Sequence, residues 1–433
     1  MNSTKKQRIA MMAMLMLMCI ALVAAAIFGW LWYQTDQALD TFLQGSALYD
    51  HAKLAEILTL LQTHSIYDLP QKDKLTDTLI SALLGEVGDP YAAYFNTEDF
   101  QAWTASLAGN FCGIGVAVGE ADSQAGLEVY DVFPGSPAEA GGVLVGDIIV
   151  AVDDHVYTTN TYATFVAAIA GEKGSAVNVT VMRGAESITL SLVRDEVVNR
   201  TILYETINEG GNSIGYIRIT GFDGNTFAQF KAAVDALEGQ NVSALIFDLR
   251  NNGGGTLYSV SQMLAYLLPD GVIAYVDYAS EQLEDYSIAQ EGGLLHFGTA
   301  TYAFEEGKHQ TTCPMAVLVN QNTASAAELF TAALRDYARR ENSDVLASIF
   351  GEVTYGKGTM QNTYDFTDHS GMKFTVAHYN PPSNVNYDGV GIEPDVIVSL
   401  PEAYQNVNIF KLPRAQDSQL KAALSYLTQP ENN

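Results

Sequence analysis

Ser325 and Lys357 lie 357 − 325 = 32 residues apart, and both have neighbours suited to nucleophilic catalysis. Ser325 falls in Leu318-Val319-Asn320-Gln321-Asn322-Thr323-Ala324-Ser325-Ala326-Ala327-Glu328, where an apolar strand pattern gives way to an amphipathic helix pattern. At such a junction the Ala326 N–H and the helix dipole point at incoming negative charge. Ser325-x-x-Glu328 also spells a capping box, in which the serine only closes the helix start, and both readings stand. Lys357 sits between glycines in Thr354-Tyr355-Gly356-Lys357-Gly358-Thr359-Met360-Gln361. Partial burial there disfavours the ammonium and makes the amine a general base for serine; the plain alternative is an exposed loop cation. Gln361, four residues on, is spaced to hydrogen-bond and orient that amine. A third segment, Asp248-Leu249-Arg250-Asn251-Asn252-Gly253-Gly254-Gly255, ends a strand in glycines whose N–H groups suit an oxyanion, or else form a flexible strand–helix turn. The fourth is Gly389-Val390-Gly391-Ile392-Glu393-Pro394-Asp395.

Other motif matches fail on context. Gly211-Asn212-Ser213-Ile214-Gly215 fits a nucleophile elbow, but a turn precedes it and a strand follows, the reverse of what the elbow needs. Gly351 to Lys357 imitates a phosphate loop, yet Gly358 stands where a magnesium-binding Ser or Thr is required. Gly113-x-Gly115 with Gly119 misses the dinucleotide spacing. Seven histidines are scattered without a His-Glu-x-x-His, and no metal or cofactor is expected. The net charge, 22 − 50 = −28, repels phosphate backbones and argues against a nucleic-acid binder. Three cysteines are too few for a disulfide scaffold, although a single Cys112–Cys313 bridge stays open.

The elements that must position these residues follow an address segment. Ile9–Trp32 runs 24 residues without a charge, preceded by Lys5, Lys6 and Arg8 and followed by Asp36, Asp40 and Asp50. As a helix it spans a ~30 Å hydrocarbon core, and the charge bias sends everything after it outside the cell. The reading is an uncleaved signal-anchor over residues 1–35; cleavage after Ala24-Ala25-Ala26 is the competing one. Residues 36–110 read as a helical arm, with Leu54, Ile57, Leu58, Leu61 and Leu75, Leu79, Leu83, Leu84 at helical steps, stopped by Gly88-Asp89-Pro90. This arm and the C-terminal helix around Leu420–Leu427 offer a homodimer surface or internal packing. Residues 111–196 switch to short strands with two helical interruptions, a compact β-rich module. From 197 to 403 strands and helices alternate, which predicts an α/β domain with a largely parallel sheet. Residues 404–433 form a helical tail.

In combination these segments resemble the carboxyl-terminal processing proteases, the serine–lysine peptidases of the tail-specific protease group. The resemblance covers nearly all of the chain beyond the anchor. Gly88-Asp89-Pro90-Tyr91 with Tyr94-Phe95 is similar to the family's Asp-Pro turn. Phe111-Cys112-Gly113-Ile114-Gly115-Val116 and Pro134-Gly135-Ser136-Pro137-Ala138-Glu139-Ala140-Gly141 with Gly146-Asp147 look like a PDZ domain. Gly215–Ile219, Gly391–Asp395 and Asp417-Ser418-Gln419-Leu420 match the opening and closing signatures of the protease core.

The resemblance implies a crotonase-like α/β core with Ser325 as nucleophile, Lys357 as general base and Gln361 positioning the lysine. It implies an oxyanion hole from the Ala326 N–H and a glycine of the Gly254-Gly255 pair, taken as Gly254. Gly113, Ile114, Gly115 and Val116 would hold a peptide C-terminus, with Ile114 and Val116 lining an apolar pocket. The expected partners are proteins with accessible C-termini. Two departures from the family stand out: Gly253 where proline is usual, and the long interval between Ser325 and Lys357, whose surplus falls in Arg339–Ser343. The rival reading is a non-catalytic PDZ scaffold on a degenerate protease core.

Overall fold

The computed structural model describes residues 51–121, 126–157, 162–280, 282–303, 310–405 and 408–429. The expected anchor, Ile9–Trp32, lies outside them. Among the described residues no helix is long and apolar enough to cross a membrane. The chain divides into two compact units, residues 1–79 and 80–433.

Helix α1 (His51–His64) belongs to the first unit, and α2 (Lys72–Val87) runs from the first into the second. Leu54, Ile57, Leu60 and Leu61 are exposed on α1, as are Leu79, Leu83 and Val87 on α2. Gly88, at φ 76°, ends α2 in the left-handed region that glycine enters without a Cβ clash. The chain then turns through Asp89-Pro90 into a short strand, β1 (Ala93–Phe95), where the sequence pattern suggested only helix. Helix α3 (Thr97–Ala108) follows, with the Asn96 side chain accepting from the Asp99 N–H and Gly109 closing it at φ 81°.

The β-rich module contains β2 (Asn110–Gly113), β3 (Val116–Glu120), β4 (Leu127–Val132), α4 (Pro137–Ala140), β5 (Ile148–Val152), β6 (His155–Val156), α5 (Tyr162–Ile169), β7 (Ala176–Arg183), β8 (Glu186–Val193) and β9 (Asp195–Val198). Its sheet runs β3-β4-β5-β7-β8, with β6 on β5. On β7 the pleat turns Val177, Val179 and Val181 inward on alternate residues. They close over Leu127, Ile149 and Phe165 in a separate apolar core. The module enters and leaves through one antiparallel ribbon, β2 with β9. It also leans on the C-terminal segment, where the Tyr130 and Phe410 rings stack at 5.7 Å and Lys411 pairs with Glu128 at 2.5 Å, while Arg200, in the connection after β9, pairs with Asp131 at 3.0 Å.

The core continues with β10 (Ile202–Glu209), β11 (Asn212–Ile219), α6 (Thr226–Glu238), β12 (Ala244–Asp248), α7 (Leu257–Leu267), β13 (Gly271–Tyr278), β14 (Tyr286–Glu291), β15 (Leu294–Phe297), β16 (Ala300–Ala303) and β17 (Met315–Val319). It ends with α8 (Ala326–Ala338), β18 (Ala347–Gly351), β19 (Thr359–Asp365), β20 (Gly371–Asn380), β21 (Val396–Ile397) and α9 (Ser418–Leu427). One sheet, ordered β10-β11-β12-β17-β18-β21, is parallel except for the antiparallel β10–β11 pair. Every residue of β12 and β17 is buried, as a sheet covered on both faces requires. A second, antiparallel sheet, β1-β20-β13-β14-β15-β16 with β19 on β20, is the part of the core that strand–helix alternation did not reveal. Cys112 and Cys313 are free thiols, so the bridge that the sequence left open is not formed.

Candidate active site

Ser325 joins β17 to α8 through Asn320–Ala324. Its backbone takes φ 58° and ψ −122°, a sparsely populated conformation for a residue with a Cβ. A serine that merely caps a helix sits in the extended region at no such cost. The hydroxyl therefore stands on a strained strand-to-helix turn, where the Tyr379 phenol approaches it at 3.4 Å. The same phenol donates to the Lys357 carbonyl at 3.1 Å.

Glu328 is fully buried and serves as more than a cap. One oxygen accepts from the Ser325 N–H at 2.9 Å and the Lys357 N–H at 2.8 Å. The other accepts from the Thr354 hydroxyl at 2.6 Å and the Gly356 N–H at 2.7 Å. The carboxylate thus sews the serine turn to the lysine loop, a role that the capping-box spacing alone did not disclose.

Ser325, Ala326, Lys357 and Gln361 line one cleft of about 420 Å³, together with Gly253, Gly255 and Tyr379. Burial pushes the Lys357 amine below the ordinary lysine range, and the Lys373 charge adds to this, against the opposing pull of Asp89, Asp388 and Glu328. Its Nζ rests 4.0 Å from the centre of the Tyr91 ring. Among the described residues no hydrogen bond joins Nζ to the Ser325 hydroxyl or to Gln361, so the contacts expected from the sequence are not closed in this conformation. Gln361 Nε2 donates instead to the Thr375 hydroxyl at 3.1 Å and the Thr359 hydroxyl at 3.3 Å.

The glycine loop also departs from expectation. The Gly254 N–H, expected to face the oxyanion, donates to the Asn252 side chain at 2.8 Å. Gly254 is needed for space: a Cβ there would lie 2.7 Å from Ser325 Cβ and 2.9 Å from the Ala326 nitrogen. Gly253 and Gly255 are the members of the run that line the cleft. Gly255 bridges Phe222 in parallel, through the Phe222 N–H to the Gly254 carbonyl and the Thr256 N–H to the Phe222 carbonyl. That geometry turns the Gly255 N–H away from Phe222.

The loop is anchored from below by a buried ionic cluster. Asp248 accepts from Arg250, from Arg218 and from the Tyr216 phenol. Burial would raise its carboxyl, but Arg250 and Arg218 outweigh burial and hold it far below the usual carboxylate range. Arg250 reaches on to Asp417 at 2.9 Å and Gln419 at 3.0 Å, tying the loop to the start of α9.

In the β-rich module, β3 stands first in the strand order of the described residues, next to β4. Gly115 adopts φ 80° beside Ser136, whose Cβ would lie 2.4 Å from a Cβ at 115. Val116 is half-buried, but Ile114 is fully buried in the module's core and does not line an open pocket. Only its backbone is left to meet a ligand. Gly113 is held in the β2–β9 ribbon opposite Asp195.

Fold and cleft together define a mixed α/β core, preceded by a β-rich module, in which a strained serine turn and a partly buried lysine line one cleft. Residues 213–398 match peptidase family S41 and residues 112–193 match the PDZ domain. The chain is 30% identical over 355 residues to the carboxyl-terminal-processing protease of a Picosynechococcus species, covering 81% of this chain and 79% of that one. It is 32% identical over 325 residues to the chloroplastic carboxyl-terminal-processing peptidase 2 of Arabidopsis thaliana, covering 73% of this chain but 59% of the relative. A solved structure from Bacteroides fragilis, assigned to the S41 proteases, shares the fold with TM-score 0.55 at 15% identity, over 85% of this chain and 95% of that one. The chain belongs to peptidase family S41, the carboxyl-terminal-processing serine proteases, and carries a PDZ domain.

Proposed function

We propose that the chain is an endopeptidase, anchored by residues 9–32 on the outer face of a cell membrane, which selects proteins by their C-termini and cuts them with Ser325 and Lys357 on a crotonase-like core. The observation that carries this reading is the strained Ser325 turn opening into the same cleft as an amine whose charge is disfavoured by burial. Ser325 Oγ attacks the scissile carbonyl carbon while Lys357 takes its proton. The Ala326 N–H, first in α8, and a cleft-lining glycine N–H receive the oxyanion. Lys357 then gives the proton to the leaving amine, and afterwards activates water against the acyl-enzyme. To do so its amine swings from the Tyr91 ring toward Ser325. Hydrogen bonds of this kind commonly tighten only once substrate is bound.

The left-handed Gly115, immediately before β3, supports capture of a tail as an added strand, its carboxylate held by backbone amides. The apolar residues exposed on α1, and those on α2, support association of two copies through the arm.

The test is cleavage of an unstructured protein with an apolar C-terminus by the full chain in detergent, beside Ser325→Ala and Lys357→Ala, with products read by mass spectrometry. Cutting by the wild type alone is expected. Tail binding without cutting by any of the three would favour the PDZ scaffold.

A further inference from the structure

The Asp-Pro turn between α2 and β1 supplies no reacting group, yet its carboxylate is bound to Thr375, the partner of the cleft-lining Gln361. β1 pairs with β20 so that Ala93 lies opposite Lys373, and this register brings Asp89 to Thr375. One Asp89 oxygen accepts from the Thr375 N–H at 2.7 Å. The other accepts from the Thr375 hydroxyl at 3.1 Å and the Tyr91 N–H at 2.9 Å. Thr375 in turn stands opposite Gln361 in the β19–β20 pair, beside a bulge at Met360/Gln361.

The direction of these bonds follows from the donor inventory. An ionised carboxylate only accepts, so the single hydroxyl proton of Thr375 goes to Asp89. The hydroxyl is then left with lone pairs, and only the NH2 end of Gln361 can face it. Burial would raise the Asp89 carboxyl, but the bonds from Thr375, Tyr91 and Ala92 prevail and keep it ionised at neutral pH. With the amide hydrogens directed at Thr375 and Thr359, Oε1 is the end of Gln361 to which no described residue donates.

We infer that Asp89, acting through Thr375, fixes the amide of Gln361 so that its oxygen, and not its NH2, is offered to the Lys357 amine. This rests on the reading of Lys357 as the general base. A neutral amine has one lone pair, which must receive the serine proton. An amide oxygen accepts an N–H of the amine and leaves that lone pair for Ser325. A reversed amide would donate to the lone pair and block the base. Asp89 and Thr375 are therefore positioning residues, and the Asp-Pro turn sets the polarity of the base.

The experiment measures kcat and KM across pH for the full chain and for Thr375→Val, Thr375→Ser and Asp89→Asn, with melting curves beside them. Thr375→Val, which frees the amide to flip, is expected to lower kcat by between about tenfold and a hundredfold, with KM within about twofold of wild type. Thr375→Ser, which keeps the hydroxyl, restores kcat to within about threefold of wild type. Asp89→Asn lowers kcat as Thr375→Val does. It also moves the acidic limb of kcat/KM to lower pH, because a carboxylate that favours the ammonium is gone. A Thr375→Val protein with wild-type kcat, or a folded Thr375→Ser protein as impaired as the valine variant, would overturn the inference. If the wild type cuts nothing, the peptidase reading fails. The positioning is then judged by competitive acylation of lysine amines, followed by mass spectrometry. A Thr375→Val change of at least about threefold in Lys357 labelling relative to the other lysines upholds it, and an unchanged rate sinks it.

Discussion

The backbone N–H groups of Ser325 and Lys357 donate to the same oxygen of Glu328, at 2.9 and 2.8 Å. Residues far apart in sequence are thereby held at one fixed separation, whatever the length of the surface turn between them. This explains how the long interval between nucleophile and base is tolerated: the extra residues near Arg339–Ser343 lie outside the clamp.

Glu328→Gln is accordingly expected to damage both stability and rate. Glutamine keeps the shape but replaces one acceptor oxygen with an NH2, which faces two of the donors now satisfied. An unsatisfied buried donor costs about 1–3 kcal/mol, so urea unfolding should reveal a loss of roughly 2 kcal/mol or more. Because the serine turn and the lysine loop are then free to drift apart, kcat should fall about tenfold or further. A folded Glu328→Gln protein cutting at the wild-type rate would leave Glu328 as a helix cap only.

The pH dependence of cleavage should report the Lys357 amine. Burial and the Lys373 charge lower its pKa in the folded protein, so kcat/KM should rise with pH through a midpoint below the ordinary lysine value. The stability sign is the reverse of a lysine that gains a partner. Below the folded pKa the buried ammonium destabilises the native state. That cost is relieved as pH rises from the folded pKa toward the unfolded value of about 10.4. Lys373→Met removes a repelling charge and should move the kinetic midpoint upward. Lys357→Arg, which cannot deprotonate, should be inactive at every pH. A Lys373→Met midpoint unmoved or lower would refute the electrostatic account.

Much of this arrangement was legible in the sequence because it depends on local chemistry. The apolar β17 pattern, Ser325 and the amphipathic α8 follow one another directly, and the glycine-flanked Lys357 announces a tight loop. The partners across the fold were not legible. Asp89 meets Thr375 through β1, a three-residue strand too short to show an alternation, and Tyr91 reaches Lys357 from the same turn. β13 to β16 lie where the sequence pattern gave no clear alternation, since few of their residues are fully buried. Ile114 is expected at an apolar pocket on the PDZ resemblance, which identifies the loop but not how deeply each of its side chains is covered, and Ile114 is fully buried.

The buried cluster beneath the glycine loop yields a stability prediction. Asp417 holds Arg250 at 2.9 Å and also caps α9 by accepting from the Leu420 N–H at 2.9 Å. Asp417→Ala strips one partner from a buried guanidinium and removes the cap, at a cost of about 3–5 kcal/mol. Asp248 adds a pH dependence. Its depressed carboxyl contributes stability that is present above the unfolded value of about 3.9 and lost as pH falls through and below it. Denaturant midpoints measured at neutral pH for both proteins, and down to acid pH for the wild type, test both statements. An Asp417→Ala midpoint equal to wild type would mean that the α9 tie is dispensable.

Gly115 provides a way to separate tail recognition from cutting. At φ 80° an L-residue is strained by roughly 1–2 kcal/mol, and a Cβ there would also meet the Ser136 Cβ at 2.4 Å. Gly115→Ala should therefore push the loop before β3 out of line and weaken binding of a fluorescent tail peptide by about tenfold or more. Gly184→Ala is the matched control. It lies in the β7–β8 turn at φ 60° with open space around its Cβ, so it brings similar backbone strain without moving the loop. Anisotropy titrations of the two variants should differ, while cleavage of a short peptide lacking the tail stays equal in both. Equal tail affinities in Gly115→Ala and Gly184→Ala would remove the loop at Gly115 from the binding site and shift recognition elsewhere on the module.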